Sequence, residues 1–398
     1  MVKNGKLSIV FVMLADLRTG QGTETSVLNY IKYAPFDKVD VTILQTNLLP
    51  KERIDQDTIN ELTKNVKIIT INTYQKSAIF QFLNKLHIAR PIWSLLVFPL
   101  AFKLYKIKNK ESFKELENAD IVYLLSNNFS GLFKGSKAVV IGTTHCWDPG
   151  TVFGRGNKLK LFLHRLEYQR NSRAISGFHV FPNYANYLPN INKKYSLSLQ
   201  SGVDTDLFHP KETENKTVKF LFIANLNECK GVKIVIEAWK RIKDKSNMEL
   251  HIAGGGELSD YVRKEAEMST FIYHGVLPLD ELAELYRSCD VFVYPTGCDT
   301  FGLVVLEALS SGLYVIASES LRGIFDDFEK LKYLEYQPRD SEVIAKRMEE
   351  IVKDKDILNR DRMKQYQYVK DNYSWEIISK KLFDFFFEAA KKEDRNSF

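Results

Sequence analysis

The sequence predicts an α/β protein built from two Rossmann-like, parallel-sheet domains. Three observations carry this. A chain of 398 residues is large for one hydrophobic core and fits two of ordinary size. Short apolar runs of strand length alternate with helical stretches twice over, and runs that are apolar throughout belong to strands covered on both faces. The two series are separated at residues 210–217, a polar stretch without an apolar run.

The first series places strands at residues 7–14, 39–45, 66–71, 121–125, 138–143 and 178–181. The opening MVKNGKLSIVFVML starts basic and turns apolar, but Asp16 and Arg18 follow with no small-residue cleavage site. It reads as a first strand, not as a signal peptide. The second series places strands at 219–224, 249–253, 270–273, 291–294 and 314–317, with helical segments such as 232–242 and 280–288 between them. An aromatic-rich helix at 373–391 ends the chain. The expected organisation is a first domain over 1–210, a second over 211–372 and a terminal segment over 373–398.

Charge is divided unevenly. Residues 1–199 hold about 27 Lys and Arg against about 14 Asp and Glu, a balance near +13 in a chain whose net charge is +6, so the remainder is acidic. A basic half of this size suggests an anionic partner. Lys103, Lys106, Lys108 and Lys110 follow a segment containing Trp93, Leu95, Leu96, Val97, Phe98, Leu100 and Phe102. Broken by Arg90, Pro91 and Pro99, that segment does not suit a bilayer span. Two readings stand beside each other: an interfacial anchor with a cationic flank, or a core helix followed by a solvated basic face. Cys146, Cys229, Cys289 and Cys298 show no C-x-x-C spacing, so neither a disulfide framework nor a zinc cluster is expected, and a reducing compartment follows.

The chemistry concentrates in DVFVYPTGCDTFGLVVLEALSSGLYVIA, residues 290–317. A buried strand ends at Tyr294, and Pro295, Thr296 and Gly297 break it. Thr300 can cap a helix that begins at Phe301 or Gly302, because Leu303, Val304, Leu306 and Leu309 follow helical spacing. The free amides at that helix start, at Phe301, Gly302 and Leu303, can receive a phosphate. At 1.5 Å rise per residue, Asp299 and Glu307 are expected roughly 10 Å apart along one line. That separation is too long for one shared proton and suits hydroxyl-bearing groups at opposite ends of a diphosphate.

This segment resembles the acidic Glu-x7-Glu motif of the retaining GT-B glycosyltransferases of family 4, the glycosyl transferases group 1. Asp299 stands in the first acidic position, one methylene shorter than the family's Glu, and Glu307 in the second. The resemblance implies a GT-B fold, two Rossmann-like domains facing a cleft, with an acceptor-binding first domain, a nucleotide-sugar-binding second domain and a terminal helix that crosses back to the first. It implies that Asp299 contacts the donor sugar, that the amides of Phe301, Gly302 and Leu303 hold the diphosphate, and that Glu307 binds the ribose.

Other motifs sit where the family would place them. Gly20, Gly22 and Glu24 in TGQGTETSVL resemble its glycine-rich loop, where an absent side chain allows close backbone approach. Taken alone this is an incomplete dinucleotide fingerprint, and the second strand ends in Gln45 where an acid would be needed, so NAD is the poorer account. His145 in VVIGTTHCWDP resembles the strand-end histidine that faces the donor sugar, with Asp148 near enough in sequence to orient it. Lys230 and Gly231 match the loop in which an arginine and a lysine neutralise the diphosphate, but the arginine position is Asn225. Three accounts of Asn225 stand: Lys230 and the helix start suffice, another cation such as Arg263 or Arg322 moves in, or activity is weakened or lost. Gly254, Gly255, Gly256 and Glu257 resemble the turn near the nucleobase. Asp204-Thr205-Asp206 imitates a metal motif of a different fold, and its position before the linker argues against a metal.

The function expected is a retaining hexosyltransferase that moves a sugar from a nucleotide-diphosphate sugar to a glycan or lipid-linked acceptor in glycan or glycolipid biosynthesis. No cofactor, metal or nucleic acid is expected. The location expected is cytoplasmic, or peripheral on the cytoplasmic face of a membrane through the basic first domain. A sugar-nucleotide epimerase of the same fold and a noncatalytic carbohydrate- or membrane-binding module are the alternatives.

Overall fold

The computed structural model describes residues 5–20, 22–47, 52, 54–71, 106–107, 110–143, 173–181, 194–211, 216–299 and 301–395. It divides into two units, residues 1–199 with 379–398, and residues 200–378.

Among its described residues the first unit holds seven strands: β1 (Leu7–Val12), β2 (Val39–Thr46), β3 (Lys67–Ile71), β4 (Ile121–Leu124), β5 (Val139–Thr143), β6 (Gly177–Val180) and β7 (Tyr195–Ser198). They form one sheet in the order β3-β2-β1-β4-β5-β6-β7, parallel throughout. Its centre is the most apolar part: Phe11 and Val12 of β1 and all of β4 are inaccessible to solvent, as burial on both faces requires. The order runs outward in both directions from β1 and β4, and α1 (Gly22–Lys32) begins at Gly22 after the first strand. β7 was not expected from the sequence. YSLS at the sheet edge buries only Tyr195, so it carries no apolar run to recognise.

Among its described residues the second unit has six strands, β8 (Val218–Ile223), β9 (Met248–Ala253), β10 (Ile272–Tyr273), β11 (Val291–Tyr294), β12 (Tyr314–Ser318) and β13 (Leu334–Gln337). Their order is β10-β9-β8-β11-β12-β13, again parallel. The edge strand β13, LEYQ, alternates buried and half-buried residues and was also missed by the sequence reading. The helix Val232–Arg241 shows why its segment folds as it does: Val232, Val235, Ile236 and Trp239 are all buried, one stripe at helical spacing. The carboxylate of Asp290, just before β11, accepts from the Lys219 amide at 2.9 Å and from Arg362 at 2.5 Å. Buried charge is thereby satisfied, and β11 is held at its start while its other end enters the site.

The terminal helix differs from expectation. Tyr373 closes one helix (Arg362–Tyr373), and a second (Trp375–Arg395) begins two residues later. Ser374 between them pairs with Val203 in an isolated parallel bridge. Gly202 fits there because a Cβ would stand 2.5 Å from the Trp375 indole. Within the first unit, Phe386 of the last helix packs on Phe11 and Tyr123 with centroids 6.3 and 5.2 Å apart. Among the described residues, no helix is long and apolar enough to cross a membrane. The segment before Lys103, with Lys103 and Lys108 of its basic flank, lies outside the described residues; Lys106, which pairs with Glu117, and Lys110, which opens a helix (Lys110–Glu117), are described.

Candidate donor-binding site

Two loops at the carboxyl ends of adjacent strands come together in the second unit. After β8, Asn227 caps a single helical turn (Glu228–Lys230) by accepting from the Lys230 amide at 3.0 Å. Gly231 then takes a left-handed conformation, φ 88°, directly against the loop that follows β11; a Cβ there would stand 2.3 Å from the Pro295 carbonyl oxygen. No other residue type combines that φ with that approach. The Gly297 amide donates to the Cys229 carbonyl at 2.8 Å, closing the two loops on each other.

This packing places the Lys230 ammonium 2.8 Å from Asp299 Oδ2, with both side chains about four-fifths covered. The same oxygen accepts from the Tyr294 hydroxyl at 2.6 Å. Burial, reinforced by the Asp299 charge, holds the Tyr294 phenol well above its usual range, so it remains a donor. A cation and an acid fixed side by side at strand ends offer one group for phosphate and one for sugar hydroxyls.

The next helix starts later than expected. It spans Leu303–Ser310, preceded by Gly302 at φ 86° with no side-chain cap. Thr300, the expected cap, lies outside the described residues. The left-handed glycine turns the chain into the helix, so Phe301 and Gly302 precede it; Phe301 is buried, its ring 5.3 Å from that of Phe325. Glu307 Oε2 accepts from the Tyr286 hydroxyl at 2.9 Å. Glu307 as a residue is half-buried, and burial pushes its carboxyl up to about 7 from its ordinary value, with the Tyr286 bond only partly opposing this.

The glycine turn after β9 lies beside Asn225. A Cβ on Gly256, at φ 156°, would stand 2.4 Å from Asn225 Oδ1, and one on Gly254, at φ 120°, 1.9 Å from the Ala224 carbonyl. The exposed Glu257 follows directly. Asn225 therefore belongs with the glycine turn. The two cations considered as substitutes are engaged elsewhere: Arg263 pairs with Asp260 at 2.7 Å, and Arg322 with Glu319 and Glu329 at 2.7 and 3.2 Å. Gly22 is exposed at the start of α1 in the first unit. His145 and Asp148 lie outside the described residues. Asp204 accepts from the amides of Asp206 and Leu207, both at 3.1 Å, and so caps a turn.

One sequence expectation is overturned. Cys229 and Cys298 form a disulfide, with Cα atoms 5.7 Å apart across 69 residues of sequence. Local spacing had no means of showing it, because the pairing exists only once the loops after β8 and β11 meet. Arg339, also unforeseen, follows β13 and reaches across both loops, donating from Nε to the Pro295 carbonyl at 2.9 Å and from Nη2 to that of Cys229 at 3.3 Å. Gly297 leaves room for it, since a Cβ there would stand 2.4 Å from the guanidinium.

Comparison with known proteins bears on the fold and the family. Residues 204–370 match the family model described as glycosyl transferases group 1. An uncharacterised glycosyltransferase of Methanocaldococcus jannaschii is 29% identical over 169 residues, 40% of this chain and 42% of that protein. The sulfoquinovosyl transferase of Arabidopsis thaliana is 31% identical over 203 residues, 48% of this chain and 39% of that one. The chain thus spans about two fifths of the length of these two curated relatives. Among solved structures, Anabaena HepE in complex with UDP and glucose superposes with a TM-score of 0.65 at 13% identity, covering 95% of this chain and 98% of that one. At that identity the likeness shows the fold, which is GT-B.

Proposed function

We propose that this chain, a GT-B protein whose residues 204–370 match the glycosyl transferases group 1, is a member of that family and moves a hexosyl group from a nucleoside-diphosphate sugar to a glycan or lipid-linked acceptor with retention of configuration. The observation that carries this reading is the Lys230–Asp299 pair, 2.8 Å apart at the carboxyl ends of β8 and β11, with Glu307 on the helix that follows. The ammonium of Lys230 is assigned to the diphosphate, with the amides of Phe301, Gly302 and Leu303 beside it. Asp299 is assigned to sugar hydroxyls and Glu307 to the ribose. Asn225, Gly256 and Glu257 are assigned to the nucleotide side, where the glycine backbone allows close approach. His145 and Gly22 are assigned to the sugar and the glycine-rich loop by family resemblance alone.

In the reaction so assigned, the acceptor hydroxyl oxygen attacks the anomeric carbon on the face the diphosphate leaves. The bond from that carbon to the phosphate oxygen breaks, and the acceptor proton passes to the departing diphosphate. The protein's contribution is electrostatic: Lys230 and the backbone amides stabilise charge growing on the leaving oxygens, which needs neither a metal nor an acid–base residue. The basic first half and the aromatic segment before Lys103 support an acceptor held at an anionic membrane surface. A thermal-shift screen with UDP, GDP, ADP and their sugars tests the donor assignment. A nucleotide that binds the folded state raises the melting temperature, and no shift with any of them contradicts the reading.

A further inference from the structure

The disulfide stands immediately before both proposed donor contacts: Cys229 precedes Lys230, and Cys298 precedes Asp299. We propose that Cys229 and Cys298 are a reversible thiol–disulfide couple that sets how firmly the Lys230–Asp299 pair is held, and so controls the affinity for a nucleoside-diphosphate sugar. The inference rests on the donor-site assignment above.

Position supports it in three ways. Only one peptide link separates each sulfur-bearing residue from its functional neighbour, so the cross-link restricts both at once. Access is suitable: Cys298 is exposed and Cys229 partly so, whereas Cys289, the other cysteine of this unit, is buried, with its thiol pushed up to about 12 by that burial. The loops also have a second set of ties that survives reduction, namely the Gly297–Cys229 backbone bond at 2.8 Å and the Arg339 bridge to Pro295 and Cys229 at 2.9 and 3.3 Å. Breaking the sulfur bond therefore loosens the pair without dismantling the loops.

The oxidised form is the receptive one. Donor binding must otherwise immobilise two loops, and a cross-link made beforehand removes that cost. The pair need not open to admit ligand, since both its recorded bonds use Asp299 Oδ2, leaving Oδ1 to accept from sugar hydroxyls, while the Lys230 ammonium has further donors for phosphate. Reduction follows ordinary exchange. A thiolate of an external dithiol attacks one sulfur, the Cys229–Cys298 bond breaks, and the resulting mixed disulfide is resolved by the reductant's second thiol. Two electrons pass to the protein, which ends with two thiols, and the reductant ends as a disulfide.

The test uses the full chain, first identifying by screen the nucleoside diphosphate that binds, and mapping the cross-link by differential alkylation and peptide mass analysis. Calorimetry then compares diamide-oxidised and dithiothreitol-reduced protein. The expected result is about tenfold tighter binding in the oxidised form, with Cys298→Ser binding like the reduced protein regardless of redox state and Cys289→Ser behaving like the wild type. Equal affinity in both forms, or tighter binding after reduction, overturns the couple while leaving the donor site standing. Thiols that stay fully alkylatable after oxidant overturn it as well. No binding of any nucleotide in either form overturns the donor-site reading and the couple together.

Discussion

Glu307→Gln has opposite consequences for binding and for stability, and both follow from one number. The carboxyl is held at about 7 by burial, against an ordinary value of 4.5. Between those two pH values the folded chain binds more protons than the unfolded one, so unfolding free energy falls as pH rises through the window and levels off above about 7. The loss amounts to at most about 3.5 kcal/mol, at roughly 1.4 kcal/mol per pH unit. Glutamine keeps the shape and an oxygen for the Tyr286 hydroxyl, which lies 2.9 Å from Oε2, and carries no charge to desolvate. The variant should therefore lose this part of the pH slope and, at pH 8, be more stable than wild type by about 1–3 kcal/mol. With Glu307 assigned to the ribose, whose hydroxyls would donate to the carboxylate, the same change should weaken nucleoside diphosphate binding by about 1.5–3 kcal/mol, roughly ten- to a hundredfold in Kd. In the wild type, binding should tighten from pH 6 to pH 8, and near pH 7 calorimetry in buffers of different ionisation enthalpy should register a released proton. Urea unfolding at pH 5 and pH 8 supplies the stability arm. A Glu307→Gln chain that keeps wild-type affinity and a wild-type pH slope refutes both the ribose assignment and the electrostatic account of the site.

Three further outcomes are expected. Lys230→Ala should lower donor turnover at least a hundredfold, because it removes a charge-assisted contact to the leaving diphosphate; kcat and KM for donor measured on the purified chain check it, and wild-type activity would remove the loop from the mechanism. Arg339→Ala should raise KM for donor more than it lowers kcat, with Arg339→Lys restoring little, since a single ammonium does not span two carbonyls as the guanidinium fork does. Sedimentation with anionic liposomes should carry the wild-type chain into the pellet at low salt, less so as ionic strength rises; changing Lys103, Lys106, Lys108 and Lys110 to glutamate should abolish it, and a chain that stays in the supernatant at low salt contradicts the membrane assignment.

Much of the fold was legible because parallel sheets bury both faces of their central strands, and runs such as Leu7–Val12, Val218–Ile223 and Val291–Tyr294 carry that burial in their own residues. The edge strands β7 and β13 escaped for the converse reason, being short and half polar where one side of the sheet meets solvent. The acid and the lysine of the candidate site were recognisable because each sits at a strand end inside a long local motif. Their pairing was not, since Lys230 and Asp299 are 69 residues apart and meet only through Gly231 closing on Pro295. The disulfide and Arg339 belong to the same class: cysteines without local spacing, and an arginine beyond the last strand whose carbonyl partners lie 44 and 110 residues away. The late helix start at Leu303 reflects the left-handed turn at Gly302, which helical periodicity alone does not encode.

The central claim, sugar transfer from a nucleoside-diphosphate donor with retention, is tested most directly by following one reaction by NMR with the donor that the binding screen selects and a lipid-linked or free glycan acceptor. The account predicts stoichiometric release of nucleoside diphosphate and a new glycosidic linkage whose anomeric configuration equals that of the donor, both lost in Lys230→Ala. An inverted linkage would contradict the mechanism, and isomerisation of the nucleotide sugar without transfer would contradict the assignment itself.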